Sequence, residues 1–345
     1  MPTIGIIGAG AAAATATFVL DSTLPDAEIT VLEKSGGVCG RAATRRRGDL
    51  VYDYGANYLK SDDERVVELV TETLDDDGLV DAVEPIYTFD ESGTVSPGRE
   101  ADEHKWSYRS GLTQIAKRLF GRTDATVNRR TRVETIRRTD GEWTLVDTDG
   151  GSWGPFDVLL LNPPAPQTAT LLSEAEWDDP RRERLEAAVS EVPYRTVWTA
   201  VLHYRFEINR PYYGLVNTDK EHAVGWISRE ECKPGHVPDG ESLLVVQASD
   251  EWSSAHYDAD PARNVAALAD HAADIVGDDR LRSPEWRDHQ GWLYALPDSG
   301  VRRGPLSSAE AANLYCLGDW VAGEGRLHAA LRNGLDVGER ITHGI

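Results

Sequence analysis

Cysteine and lysine are both scarce in this chain. Three cysteines, Cys39, Cys232 and Cys316, stand apart from one another in 345 residues, with no CxxC pair. Their spacing implies neither a disulfide framework nor a zinc site, and no metal is expected. Only six lysines occur among 36 basic residues, which face 58 acidic ones for a net charge of −22. An acid-rich, lysine-poor surface suits a salt-filled cytoplasm, where screening removes the self-repulsion, so a halophilic character is expected. The same charge makes nucleic acid and anionic membrane poor partners. No apolar run approaches the roughly 18 residues of a membrane span, and no charged leader precedes the first strand-like segment, so the expectation is a soluble, cytoplasmic protein. The length allows a large core and one or two domains.

The beginning of the chain is rich in chemistry. Ile4, Ile6 and Ile7 run into Gly8-Ala9-Gly10-Ala11-Ala12-Ala13, a buried strand meeting a tight turn and an Ala-rich helix. Gly8 permits the turn, Gly10 lets the backbone approach a pyrophosphate, and Ala13 supplies the third small position. The N–H groups of Ala11 and Ala12 then point the positive end of the helix at the phosphates. A second strand, 28–32, ends at Glu33, placed to bind ribose hydroxyls and to repel a 2′-phosphate. Immediately after it, Lys34-Ser-Gly-Gly-Val-Cys-Gly40-Arg41 forms a second glycine-rich turn.

Further on, Asp53-Tyr54-Gly55-Ala56-Asn57-Tyr58 follows a strand-like 50–52. Gly55 and Ala56 leave room for a flat ring, Asn57 offers a polar contact and Tyr58 an aromatic wall. Ser61-Asp-Asp-Glu64 reads as a capping box for a helix bearing Val66, Val67, Val70 and Leu74, stopped by the acidic Asp75–Gly78. Residues 79–105 read as short strands and turns without identifiable chemistry. A helix is expected over 110–120, one strand over 126–136 paired with another over 142–148, and a central parallel strand over 156–161 that Asn162-Pro-Pro-Ala-Pro166 stops. A helix near 182–189 precedes strands at 197–206, 223–228 and 243–249 of a second sheet. Asp260-Pro261 opens a helix that Gly277 closes. The stretch 286–294 is aromatic-rich. Leu314 to Asp319 is a last strand ending in Gly318-Asp319, and a helix from about Arg326 finishes the chain.

Nucleotide chemistry at both ends of a chain, with another sheet between, is the layout of a flavoprotein whose cofactor domain is discontinuous. The turn ending in Gly40-Arg41 resembles the GGxxGR segment of amine-oxidase-type flavoproteins, where the Arg lies near the FAD pyrophosphate. With 53–58, 156–166, 318–334 and Trp292-Leu-Tyr294-Ala295 added, the chain resembles a renalase-type member of the FAD-dependent amine-oxidase superfamily. That resemblance implies an α/β fold with an α+β substrate part. A Rossmann-like FAD-binding domain (1–60, 106–172 and 300–345) would join a mixed-sheet substrate domain (61–105 and 173–299), as in p-hydroxybenzoate hydroxylase-like proteins. It implies FAD contacts at Ala12, Arg41, Asn57, Tyr58 and the backbone of Val133. Asp319 would meet the ribityl or phosphate part. The helix start at Arg326, Leu327 and His328 would face the pyrimidine end of the flavin, where its dipole favours the reduced ring. Asn162-Pro163-Pro164 departs from the family's Ala-Thr-Pro-like strand end. No flavin-linking cysteine or flavin-facing lysine is evident, so FAD is expected to be non-covalent and Lys233 to be a turn lysine.

The implied reaction is hydride removal from a flat, nitrogen-containing small molecule such as a dihydronicotinamide isomer, with dioxygen or another acceptor taking the electrons. Tyr58, Trp292 and Tyr294 are candidates to line the donor, with His328 beside the flavin and Trp226 more readily a core residue. Oxidation of a small amine, desaturation of an apolar substrate and a non-catalytic redox sensor are the alternatives.

Overall fold

The computed structural model describes residues 1–74, 76–99 and 103–344. Five parallel strands lie in the order Leu314–Cys316, Val158–Leu161, Thr3–Ile7, Glu28–Glu33 and Thr126–Arg129. Ile4, Ile6, Val31, Leu159 and Leu160 are wholly buried or nearly so, as strands covered on both faces require. One face carries the helices Ala11–Thr23, Thr113–Phe120 and Leu327–Gly344. The first and last of these approach closely, because a Cβ at Gly334 would sit 2.3 Å from the Ala12 carbonyl oxygen. On the other face lies an antiparallel sheet of Val133–Thr139, Glu142–Asp147 and Ser152–Phe156, whose Trp143 and Leu145 are buried against Leu159 and Leu161.

A larger mixed sheet has seven strands in the order Trp286–Pro297, Tyr194–Tyr204, Ser242–Ala248, Val224–Arg229, Gly214–Asn217, Ile86–Phe89 and Val95–Ser96. The helix Pro261–Val276 covers one face through Val265, Leu268, Ala272 and Ile275. Asp260 caps it by accepting from Ala262 N–H, and Gly277 ends it at φ +71°. No helix among the described residues is long and apolar enough to cross a membrane.

Several local expectations change. Asp63, rather than Ser61, caps the short helix Glu64–Glu68, since its carboxylate accepts from Arg65 N–H while Ser61 Oγ accepts from Asp63 N–H. The helix continues as a π-turn over Leu69–Thr73, and part of the acidic stop, Asp75, lies outside the described residues. The expected strand over 126–136 breaks at Arg130, whose φ is +60°, and its halves join different sheets. Gly111, at φ +80°, makes a turn that delays the next helix to Thr113. Asp157 interrupts 156–161 by accepting from both the N–H and the hydroxyl of Thr3, leaving Val158–Leu161 as the central strand. Two strands of the larger sheet, Gly214–Asn217 and Trp286–Pro297, lie where none was expected, while Ile86–Phe89 is one of the short strands expected over 79–105.

Lys233 is also different. It is fully buried, with Nζ 3.0 Å from Asp53 and 2.8 Å from Glu230. It does not line the cavity described below. His236 completes this cluster, its Nδ1 2.9 Å from Glu230 and its Nε2 2.9 Å from the Tyr108 carbonyl. Asp53, Glu230 and His236 have the spacing of metal ligands, but the lysine ammonium already bonds both carboxylates.

Candidate active site

A cavity of about 3030 Å³ runs between the two large sheets. At one end the Gly8–Gly10 turn presents the first helix. Gly8 has φ +92°, and Gly10 is the N-cap without any side-chain cap. No acidic residue occupies that helix's first turn, so its free N–H groups and dipole favour a phosphate. Gly10 serves a purpose not legible in the motif: Asn162 Oδ1 accepts its N–H at 3.0 Å and would lie 2.5 Å from a Cβ there. Glu33 is buried, accepting from Ala9 N–H at 2.8 Å and Ser35 N–H at 2.6 Å while lining the cavity. Lys34 lies beside it, bonded to Gln167. Val133 lines the same end.

The second glycine turn brings Gly40 and Arg41 to the middle of the cavity. The Arg41 guanidinium donates to both oxygens of Asp319, at 2.7 and 2.9 Å, and to the Ala295 carbonyl. Burial alone would lower the Arg41 pKa, but the adjacent Asp319 outweighs it and raises it. Gly318, at φ +134°, starts the turn bearing Asp319, with its N–H held by Asn333. Gly55 is required by the protein itself, since a Cβ there would meet the Arg41 carbonyl oxygen at 2.0 Å and Trp292 at 3.1 Å. Those two groups fill the space on the Cβ side of Gly55, while Gly55 and Ala56 both line the cavity.

Aromatic residues line the remaining part. Trp292 stacks on Tyr54 with centroids 5.2 Å apart and donates its indole N–H to the Tyr54 carbonyl. Tyr58 meets Tyr213 and Trp226 at centroid distances of 6.0 and 6.2 Å, and burial raises its hydroxyl pKa. Trp226 packs against the small core cluster of Ala82, Tyr213 and Cys232 and also lines the cavity, and its indole nitrogen has no hydrogen-bond partner among the described residues. Tyr294 sits edge-on to Tyr194. Ala56, Asn57, Arg326, Leu327 and His328 also line the cavity, with His328 Nε2 3.3 Å from Glu324. Every residue singled out from the sequence as a cofactor or donor contact therefore faces one space.

Sequence reasoning missed Gln247. From the Ser242–Ala248 strand its Nε2 donates to the Gly55 carbonyl at 2.7 Å, and its Oε1 accepts from Asn57 at 3.2 Å. Ser228 donates to Asn57 Oδ1, so both ends of the amide expected to offer a ligand a polar contact already have protein partners. A single amide closing the apolar run Leu243-Leu-Val-Val246 was the available signal. Cys39 lines the cavity, and burial pushes its thiol up to about 12, which holds it in the unreactive form.

An unbranched alanine helix start, an acid at the end of the second strand and a groove with room for both nucleotide and ring fit a flavin dinucleotide. Comparison with known proteins agrees. Residues 6–73 match a model of NAD(P)-binding Rossmann-like domains, and residues 99–342 match that of flavin containing amine oxidoreductases. Among solved structures, cyclohexylamine oxidase from Brevibacterium oxydans IH-35A superposes with a TM-score of 0.74 at 14% identity, covering 99% of each chain. Putrescine oxidase bound to putrescine gives 0.72 at 12% identity over 99% of this chain and 100% of its own. Reduced UDP-galactopyranose mutase gives 0.79 at 11% identity over 100% and 94%. Likeness at these identities carries the fold. The match over 99–342 carries more, and the chain belongs to the flavin containing amine oxidoreductase family.

Proposed function

We propose that the protein is an oxidoreductase holding FAD non-covalently, which takes a hydride from a flat, nitrogen-containing donor such as a dihydronicotinamide isomer and passes electrons to dioxygen. The carrying observation is the aromatic lining of the cavity beside Gly55–Tyr58, with Trp292 clamped on Tyr54 by stacking and by its indole N–H. The flavin supplies the hydride-accepting chemistry when bound.

What remains for the side chains is orientation and exclusion of water. Trp292 and Tyr58 offer flat faces to a planar donor. Arg41, the first helix and Glu33 hold the dinucleotide, while Gln247 fixes the backbone of Gly55. The helix beginning at Leu327 turns its positive end toward the cavity, where it would favour a reduced, anionic ring. Residues 1–60, 106–172 and 300–345 form the cofactor part in this reading, and 61–105 with 173–299 the donor part.

Anaerobic mixing with dihydronicotinamide isomers and, separately, with small amines tests the reading. Loss of the flavin's visible absorbance with a dihydronicotinamide is expected. Trp292→Ala should slow that loss at least about tenfold, roughly 1.4 kcal/mol of barrier, with FAD still bound. Fast bleaching by an amine and none by any dihydronicotinamide would overturn it, and bleaching by no donor at all would favour a redox sensor.

A further inference from the structure

Five of the six lysines of this acidic chain line a single cavity, and the sixth, Lys233, is locked in a buried ion cluster. Among the described residues, twelve lysine and arginine side chains face that cavity against seven carboxylates, the reverse of the balance in the whole chain. Lys34, beside Glu33, belongs to the nucleotide end. Lys60 and Lys105 do not, because they stand around Glu103 close to Tyr58.

Lys105 is only 9% exposed, yet its ammonium makes a single hydrogen bond, 3.4 Å long, to the backbone carbonyl of Glu103. Two of its three protons lack an acceptor among the described residues. A buried ammonium left this way costs free energy unless water or a ligand completes its shell. The nearby carboxylate is already shared. Glu103 takes Lys60 Nζ at 2.8 Å and Arg99 Nη2 at 2.8 Å, so among the described residues three cations surround this one anion. The Lys60 hydrogen bond holds the Glu103 carboxyl below its ordinary value, which keeps that one negative charge in place. Lys60 and Arg326 also act electrostatically on the Tyr58 hydroxyl, which places this excess of positive charge next to the donor-facing wall.

We propose that Lys60 and Lys105 form an anion subsite at the donor end of the cavity, binding a phosphate or carboxylate group of the hydride donor. The proposal rests on the reading above that a donor enters beside Tyr58, and it adds that this donor is an anion. A small cationic amine would meet the wrong sign of charge. Contact with a sheltered ammonium survives high salt better than long-range attraction does, which matters for a chain expected to work in salt.

Isothermal titration calorimetry on the FAD-loaded protein, whose nucleotide end is filled, tests this with sodium pyrophosphate and separately with sodium benzoate at constant KCl. One equivalent of at least one of these anions should bind, and the stronger of the two tells whether phosphate or carboxylate is preferred. Lys105→Gln and Lys60→Gln should each weaken binding about tenfold, the loss of one charge-assisted hydrogen bond, while Lys105→Arg should retain most of it. With a dihydronicotinamide as donor, Lys60→Gln should raise KM more than it lowers kcat. If Lys105→Gln does not fold, Lys60→Gln, whose side chain is 38% exposed, carries the test. Failure of both anions to bind, or equal binding to wild type and variants, would overturn the subsite. Lys105-dependent anion binding without bleaching by any dihydronicotinamide would leave the subsite standing and remove the donor reading. Bleaching without anion binding would do the opposite.

Discussion

Arg41 holds Asp319 through both arms of its guanidinium, across 278 residues of chain. The two residues follow glycine turns at opposite ends of the sequence, so their ion pair joins those two ends at the middle of the cavity. Asp319 is buried, and the Arg41 side chain is 29% exposed.

Arg41→Gln leaves that carboxylate buried without its cation, a loss expected to cost about 3 kcal/mol. The melting temperature should fall in the apoprotein, and the dissociation constant for FAD should rise as well. Fluorescence titration of apoprotein with FAD and a thermal melt of the same sample check both. A variant with wild-type melting and wild-type FAD affinity would separate this pair from the cofactor.

Lys233→Met should be more damaging to the fold, because Asp53 and Glu230 then share a sealed site without their ammonium. The expected loss is about 3–5 kcal/mol. The pH dependence follows from the directions of the shifts. Burial would raise the Asp53 pKa, but Lys233, then His236, outweigh burial and lower it. Its contribution is therefore present above the ordinary value of 3.8 and disappears as pH falls through the depressed folded value. Burial would lower Lys233, but Asp53 and Glu230 raise it, so its contribution is complete below 10.5 and is lost only as pH rises beyond that. Denaturant melts of wild type and variant should differ most near neutrality and converge as pH drops below 3.8. A difference that grows in acid would contradict the pairing.

Salt should stabilise the protein. Exposed pairs such as Arg282 with Asp270 and Asp274 contribute little and weaken on screening. The net charge of −22 opposes them, since unpaired carboxylates repel one another and gain from the same screening. With the imbalance this large, repulsion should dominate and the melting temperature should rise with KCl into the molar range. A flat or falling melting curve series would reject halophilic adaptation.

Local patterns made the end of the cavity lined by Gly8, Gly10 and Glu33 legible, because turn glycines, helix start and terminal acid lie within about forty residues. The larger sheet was harder. Ile86–Phe89 gains its strand character by pairing parallel with Gly214–Asn217, more than a hundred residues away. Trp286–Pro297 mixes charged, polar and aromatic residues at both parities, since one part lines the cavity and another faces solvent, so no alternation marks it. Lys233 sits in a Pro-Gly turn by sequence, and its burial depends on the distant Asp53 as well as on Glu230 nearby. Lys105 lies in the segment whose chemistry could not be read, and burial is what makes it informative.

Gln247 offers the sharpest separation of positioning from folding. Its amide spans the Gly55 carbonyl and the Asn57 side chain, and both belong to the segment that faces the cavity. Gln247→Met keeps the side chain's length and removes both bonds, leaving a backbone acceptor and an amide donor to find water. A stability loss of about 1–3 kcal/mol is expected, small enough for the FAD-loaded protein to remain folded. The Gly55–Tyr58 backbone would then be free to shift, so the visible flavin spectrum should move and the reduction potential should change. Ser228→Ala removes only the bond to Asn57 Oδ1 and should produce a smaller change of the same kind. Spectra and potentials of the two variants, read beside their melting temperatures, decide the matter. A Gln247→Met protein with lowered stability and an unaltered flavin spectrum and potential would make Gln247 a core residue and nothing more.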